Sequence, residues 1–196
     1  NSFPHSSGIA SSASSYSALA AALCDLEIQL KTKKKTTEKQ LLSDSKWMKK
    51  VSLFSRLGSG SACRSPFAYA SVWGESAVVK TSSNDFGIGA ENLLHKEFKT
   101  LRDSILIASS NEKKVSSRVG HSLMKGNPFA KARYKQANDN LKNLLPALKS
   151  GDWETFGAIA ENEAMTLHAL MMCSNPSFIL MNAHTLSMIE SIRNFR

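Results

Sequence analysis

Three serine-rich segments of this chain have the residue types and spacing to hold phosphate. The first is Asn1-Ser-Phe-Pro-His-Ser-Ser-Gly-Ile-Ala-Ser-Ser-Ala-Ser14. Pro4 breaks the backbone, Gly8 permits a tight turn, and Ser11 and Ser12 open an alanine-rich run of helix formers. A loop feeding a helix start aims unpaired N–H groups, the positive end of the helix dipole and several hydroxyls at one point. One such turn is weak evidence for a site, because serine commonly begins helices. The second segment is Arg56-Leu-Gly-Ser-Gly-Ser-Ala-Cys-Arg-Ser65. Gly58 and Gly60 let backbone approach a ligand, Ser59 and Ser61 offer hydroxyls, and Arg64 brings a planar charged fork. The third, Glu112-Lys-Lys-Val-Ser-Ser-Arg-Val-Gly-His121, combines Lys113 and Lys114 with Ser117 and Arg118. Each alone reads as a polar surface turn. Together they suit a nucleotide and a second polyanionic substrate.

Regular elements must position these segments. Ala, Leu and Tyr recurring on one side predict a helix over 12–30, and a shorter helix over 46–56 delivers the second segment. Phe67-Ala-Tyr-Ala-Ser-Val-Trp73 carries β-forming aromatics, and 77–80 is expected to pair with it as a hairpin around Gly74. Residues 84–91 read as an irregular loop, and Ser104-Ile-Leu-Ile-Ala108 as a buried strand. From Phe129 onward Tyr134, Ala137, Leu141, Leu144, Leu145 and Leu148 recur at helical spacing, with Pro146 marking a kink or an early end. Trp153, Phe156, Ile159, Ala160, Ala164, Leu167 and Leu170 predict a second amphipathic helix, capped by Asp152. Thr185 is expected to cap a last helix carrying Leu186, Ile189, Ile192 and Phe195. The pattern is α+β, with the sheet in the first half and helices dominant in the second.

At 196 residues the chain suffices for one large domain or two small ones, and 42% apolar residues support a real core. A formal charge of +9 points to anionic partners. The excess sits in 31–50 and 113–149. Lys31-Thr-Lys-Lys-Lys35 has no interleaved aromatics and reads as a solvated loop. Cys24, Cys63 and Cys173 lack metal or disulfide spacing, which fits a reducing cytoplasm. Cys24 and Cys173 read as buried small hydrophobes. Cys63 neighbours the second segment with nothing to make it a nucleophile. No apolar run reaches membrane-span length and no signal peptide is visible. His168 reads as a structural histidine, while His5 and His121 neighbour the anion loops. Glu161 and Glu163 lie on different helix faces and form no carboxylate dyad. Met165, Met171, Met172 and Met181 read as core filler. No constellation of side chains reads as a metal site.

The run Asn1-Ser-Phe-Pro to Gly8-Ile-Ala-Ser-Ser-Ala13, then Gly58-Ser-Gly-Ser-Ala-Cys-Arg64, then Glu112-Lys-Lys-Val-Ser-Ser-Arg118, resembles the ordered motifs of the diphosphomevalonate decarboxylase family of the GHMP kinase superfamily. Glu163-Ala-Met-Thr-Leu-His-Ala169 and Ser174-Asn-Pro-Ser-Phe-Ile-Leu-Met181 resemble that family's helix and following segment, particularly in bacterial members. The likeness spans essentially the whole chain, and the Gly58 to Arg64 run is its most specific part. It implies a GHMP-kinase-like two-domain α+β fold with a ribosomal-protein-like N-terminal α/β domain. Residues 1–103 would be the remainder of that ATP-binding domain and 104–196 the first part of the C-terminal domain, the chain being an internal fragment.

The activity implied is ATP-dependent decarboxylation of 5-diphosphomevalonate to isopentenyl diphosphate, with ADP, phosphate and CO₂ as the other products. Resemblance places the ATP phosphates on Gly8, Ser11 and Ser12, with Ser12 assisting catalysis. It places the substrate diphosphate on Ser59, Gly60, Ser61, Ser117 and Arg118, and the substrate carboxylate on Arg64. Lys113 and Lys114 would add positive potential. The family's aspartate base is expected beyond Arg196, and Mg²⁺ is expected to arrive with ATP. The implied setting is a cytoplasmic enzyme that takes a small molecule, needs neither nucleic acid nor membrane, and admits a homodimer. Two other readings stay open: a related kinase acting on mevalonate or a phosphomevalonate, and a non-catalytic basic binding module.

Overall fold

The computed structural model describes residues 11–108, 120 and 122–196. The chain divides into two compact units, Asn1–Leu94 and His95–Arg196.

The first unit is built on two helices. Helix α1 (Ser11–Thr32) and helix α3 (Ser45–Gly58) lie against each other, with the short helix α2 (Glu38–Ser43) between them in sequence. Alpha-1 buries Ala13, Ser17, Ala20 and Cys24, one small residue per turn. Such a stripe lets a partner helix approach closely. The large residues of α1 face outward: Leu19, Leu23, Leu26 and Leu30 are all exposed. The core joins Ala20 and Cys24 to Trp47 and Val51 of α3, flanked by Ile28, Leu41 and Met48. Tyr16 lies so near Gly58 that a Cβ there would sit 2.1 Å from the ring, while Glu27 pairs with Lys50. The start of α1 therefore meets the end of α3, and the two helices run antiparallel.

Local caps set the boundaries. Thr37 and Gln40 form a reciprocal capping box at α2. The Asp44 carboxylate accepts from the N–H groups of Lys46 (2.8 Å) and Trp47 (3.2 Å) at the start of α3. The Lys31–Lys35 run is exposed, as a solvated segment should be.

After α3 comes a 3₁₀ turn, Gly60–Arg64, then strand β1 (Ser71–Val72), which pairs antiparallel with β2 (Ile88–Gly89). The expected hairpin with 77–80 does not form. Asn84 closes the intervening loop instead: its carbonyl accepts from the Trp73 indole at 3.0 Å and its Oδ1 from the Glu75 N–H at 3.0 Å. The Gly74 N–H bonds to the Ser83 carbonyl at 2.9 Å, and Gly74 turns the chain with φ of 104°. Pairing thus falls to the segment expected to be irregular.

The second unit contains helices α4 (Ala130–Ser150), α5 (Trp153–Met172) and α6 (Ala183–Phe195). Alpha-4 runs four residues past Pro146 rather than ending there. Its end is held because the Ala147 carbonyl accepts from both Gly151 and Asp152, and the Leu148 carbonyl accepts from His95. These bonds stabilise the last turn despite the N–H that proline lacks. Asp152 caps α5 through the Thr155 N–H at 3.0 Å. Asn182, not Thr185, caps α6, and the Thr185 hydroxyl donates to the same Asn182 oxygen. Phe98 packs on Trp153 and Phe156, with ring centroids 4.3 and 5.1 Å away.

Two further expectations fail. The 104–108 run is not a strand: Ile105, Leu106 and Ile107 are more than half exposed. An apolar run becomes a strand only when a neighbour supplies hydrogen bonds, and no described residue does. Cys173 is exposed, because it follows the last residue of α5 rather than lying on its inner face. Cys24 is buried as expected.

Hydrogen bonds from Lys31 and Lys50 lower the Glu27 carboxyl from its ordinary 4.5 to about 2. A depressed folded-state pKa contributes stability above the unfolded value, which is lost as pH falls through the folded one. Between pH 4.5 and 2, thermal midpoints of the parent should fall more steeply than those of Glu27→Gln. Parallel slopes in a calorimetric pH series would show that the two lysines do not hold this carboxylate.

Candidate functional site

The candidate site is the turn at the end of α3. Ser59 leaves the helix with an extended backbone, its N–H still bonded to the Ser55 carbonyl at 3.1 Å. The following 3₁₀ turn points residues two ways. Ala62 and Cys63 are completely buried, whereas Gly60 and Arg64 are exposed and Ser59 and Ser61 half-buried. Burial pushes the Cys63 thiol pKa up, so this sulfur anchors the turn rather than acting as a nucleophile.

A stripe along α3 holds the turn in place. Lys49, Ser52 and Arg56, at i, i+3 and i+7, share one face and reach the 85–87 segment. The Lys49 ammonium sits 4.2 Å from the Phe86 ring centroid. Arg56 donates from Nε to the Asp85 carbonyl at 2.8 Å, and its Nη2 meets the Asp85 carboxylate at 3.2 Å. Between them the buried Ser52 hydroxyl donates to the Cys63 carbonyl at 2.6 Å and accepts from the Gly87 N–H at 2.8 Å. A Cβ on Gly87 would fall 2.7 Å from that Cys63 carbonyl oxygen. Only glycine lets the two backbones come this close.

Ser11 and Ser12 begin α1, with Ser12 exposed one turn before Tyr16. Tyr16 covers Gly58, and α1 also touches the 3₁₀ turn. The first turn of α1 and the Ser59, Gly60, Ser61 and Arg64 group therefore share one end of the helix pair. Gly8, Ser117 and Arg118 lie outside the described residues, as do His5, Lys113, Lys114 and His121.

In the second unit Glu161 and Glu163 do not form a dyad. Arg133 grips Glu163 with both guanidinium nitrogens, Asn140 adds a bond at 2.7 Å, and Arg133 holds the carboxyl below its usual range. Glu161 is paired with Arg193 and Arg196, which lower it likewise. Both carboxylates tie helices together. No cluster of His, Cys, Asp and Glu suited to a metal occurs among the described residues, nor does any described helix have the length and apolarity to cross a membrane.

The sequence reading missed Lys49, Ser52 and Trp73. A signal existed for Ser52, a polar residue at helical spacing on the buried face of α3, whereas Lys49 is exposed and carried none. Trp73 carried no such mark, since strand aromatics are common.

The fold is that of the GHMP-kinase-like mevalonate diphosphate decarboxylases. A solved enzyme of that description from Legionella pneumophila superposes with a TM-score of 0.75 at 31% identity, over 100% of this chain and 55% of that one. A structure described as MDDEF in complex with MVAPP, AMPPCP and magnesium gives 0.71 at 25% identity, over 98% and 53%. Diphosphomevalonate decarboxylase of Schizosaccharomyces pombe is 25% identical over 99% of this chain and 45% of its own length. The Gibberella zeae relative is 29% identical over 98% and 46%. The chain thus spans about half the length of these curated relatives. Residues 1–84 match the diphosphomevalonate decarboxylase-like N-terminal domain, and residues 104–196 match the mevalonate 5-diphosphate decarboxylase C-terminal domain. The chain belongs to the diphosphomevalonate decarboxylase family.

Ser52→Ala should cost about 1–3 kcal/mol, because it leaves two buried backbone groups without partners. Ser55→Ala should cost under about 1 kcal/mol, since that hydroxyl bonds only to Val51 within its own helix. Urea unfolding of both variants tests this, and equal losses would remove Ser52 from its bridging role.

Proposed function

We propose that the whole protein carrying this chain decarboxylates 5-diphosphomevalonate at the expense of ATP, yielding isopentenyl diphosphate, ADP, phosphate and CO₂. The observation that carries the reading is the anchored turn, which holds Ala62 and Cys63 inward and leaves Ser59, Gly60, Ser61 and Arg64 half-buried or exposed. The protein captured with MVAPP, AMPPCP and magnesium supports the same pair of ligands here.

In this reading Ser59, Gly60 and Ser61 hold the substrate diphosphate together with Ser117 and Arg118. Hydroxyls and N–H groups fixed in advance suit a polyanion, since no reorganisation is needed when it arrives. Arg64 takes the carboxylate through its bidentate fork. Gly8, Ser11 and Ser12 receive the ATP phosphates at the start of α1, where the helix dipole and open N–H groups favour negative charge. Ser12, exposed in the first turn, also assists the transfer. Bound ATP supplies the phosphoryl group that turns the tertiary hydroxyl into a leaving group, and Mg²⁺ screens the clustered phosphates. The chain's own part is to keep two polyanions close despite their repulsion. In this reading residues 1–103 belong to the ATP-binding domain and 104–196 to the first part of the C-terminal domain, and the two family matches support that division.

Arg64→Gln in the whole protein should raise KM for diphosphomevalonate roughly tenfold to a hundredfold, the scale of a lost charge-assisted hydrogen bond, with KM for ATP unchanged. Ser59→Ala should shift the same constant, whereas Ser12→Ala should lower kcat more than either KM. Coupled release of CO₂ and ADP measures all three. Arg64→Gln that leaves diphosphomevalonate affinity intact would overturn the carboxylate assignment.

A further inference from the structure

We propose that Trp73 is a positioning residue for the reaction, a fixed platform that sets the Arg64 guanidinium and the Gly60 backbone together. This rests on the reading of Arg64 as the carboxylate-binding group. The residue follows β1 directly, and its indole touches both ends of the 3₁₀ turn. At the first end, a Cβ on Gly60 would stand 3.1 Å from Trp73 Cη2 and 3.9 Å from Cζ2 and Cζ3, so the turn backbone meets the outer tip of the indole. At the second end, Arg64 Cζ lies over the indole, 5.7 Å from the ring centroid and within cation–π range.

The ring is itself held. Its Nε1 donates to the Asn84 carbonyl at 3.0 Å, and Asn84 Oδ1 accepts from the Glu75 N–H two residues beyond the indole. Asp85, next in sequence, is gripped by Arg56 of α3. The platform and the turn are therefore fastened to the same helix by separate routes, Arg56 for one and Ser52 for the other.

The chemistry follows from where a guanidinium can be approached. Resting a face on an aromatic ring leaves the N–H edges free, and those edges pair with a carboxylate. An exposed arginine without a platform samples many rotamers, and ordering it on binding opposes affinity. Trp73 removes part of that cost before substrate arrives. Glycine at 60 serves the same contact, because a Cβ there would crowd the indole tip at 3.1 Å.

The test uses the whole protein and four variants: Trp73→Leu, Trp73→Phe, Arg64→Gln, and Trp73→Leu with Arg64→Gln. Trp73→Leu should raise KM for diphosphomevalonate roughly tenfold with KM for ATP unchanged, and Trp73→Phe should restore most of the loss. In the Arg64→Gln background, Trp73→Leu should add little further loss, because the group it positions is gone. Fully additive losses, or equal rises in both KM values, would reduce Trp73 to general packing and overturn the proposal. The Arg64 Hε resonance gives a readout independent of turnover. It should carry a ring-current shift in the parent that disappears in Trp73→Leu, and its absence from the parent overturns the platform. If the parent shows no saturable use of diphosphomevalonate, the functional reading fails by itself, and the Hε signal still decides whether Trp73 holds Arg64.

Discussion

The serine hydroxyl closed between α3, the 3₁₀ turn and the 85–87 segment is the constraint on which the site depends. Ser52 is fully buried and uses its donor and an acceptor at once, on the Cys63 carbonyl and the Gly87 N–H. Neither backbone group belongs to a helix interior or to the β1–β2 ladder, so neither has a regular partner. Buried backbone groups in irregular chain must find side-chain partners or water. A small hydroxyl can serve two of them from one helix position. Gly87 completes the arrangement, because a Cβ there would strike the carbonyl that Ser52 holds. The outward presentation of Ser59, Gly60, Ser61 and Arg64 follows from this inward fastening.

The second constraint is the small-residue face of α1. Ala13, Ser17, Ala20 and Cys24 bring the axis of α1 near α3 and carry Ser11 and Ser12 to the end where the turn emerges. Tyr16 against Gly58 fixes the contact at that end, and Glu27 with Lys50 fixes it at the other. Two segments more than forty residues apart in sequence thereby share one edge of the first unit. Packing, and not the loops alone, makes a common site for two anions geometrically reasonable.

Helix extents were legible because their signals are local. Asp152 caps α5 where its position after Gly151 indicates, and the core helices start and stop within two residues of the periodic pattern. Features that depend on a distant partner were not legible. Residues 77–80 carry the β-forming composition, yet 88–89 pair with β1 once the intervening loop is closed by the bonds to Asn84. The apolar 104–108 run has strand composition without strand pairing, and Cys173 is exposed by one position at a helix end. On α1 the buried stripe is the alanine and serine side rather than the leucines, since shape complementarity to α3 outweighs side-chain hydrophobicity there. The same division runs through the site. Ser59, Gly60, Ser61 and Arg64 declare themselves by type, whereas Ser52 and Trp73 acquire their roles only from what folding brings against them.

The distribution of charge says what this turn can contribute chemically. In the first unit Glu27 and Asp85 are engaged by lysine and arginine, and Glu27 is held below its ordinary carboxyl pKa. A carboxylate stabilised in its charged form is a poor proton acceptor near neutral pH, because the partner that lowers its pKa also weakens its basicity. The Cys63 thiol is shifted the opposite way and is sealed inside. The described residues of the turn itself offer hydroxyls, backbone N–H groups and the Arg64 guanidinium held over the Trp73 indole. Groups of these types can bind and polarise anions without exchanging protons at neutral pH. Under the proposed function, the described part of this site works through position and charge, lowering the energy of a crowded polyanionic complex, and its fastenings matter as much as the groups assigned to the ligand.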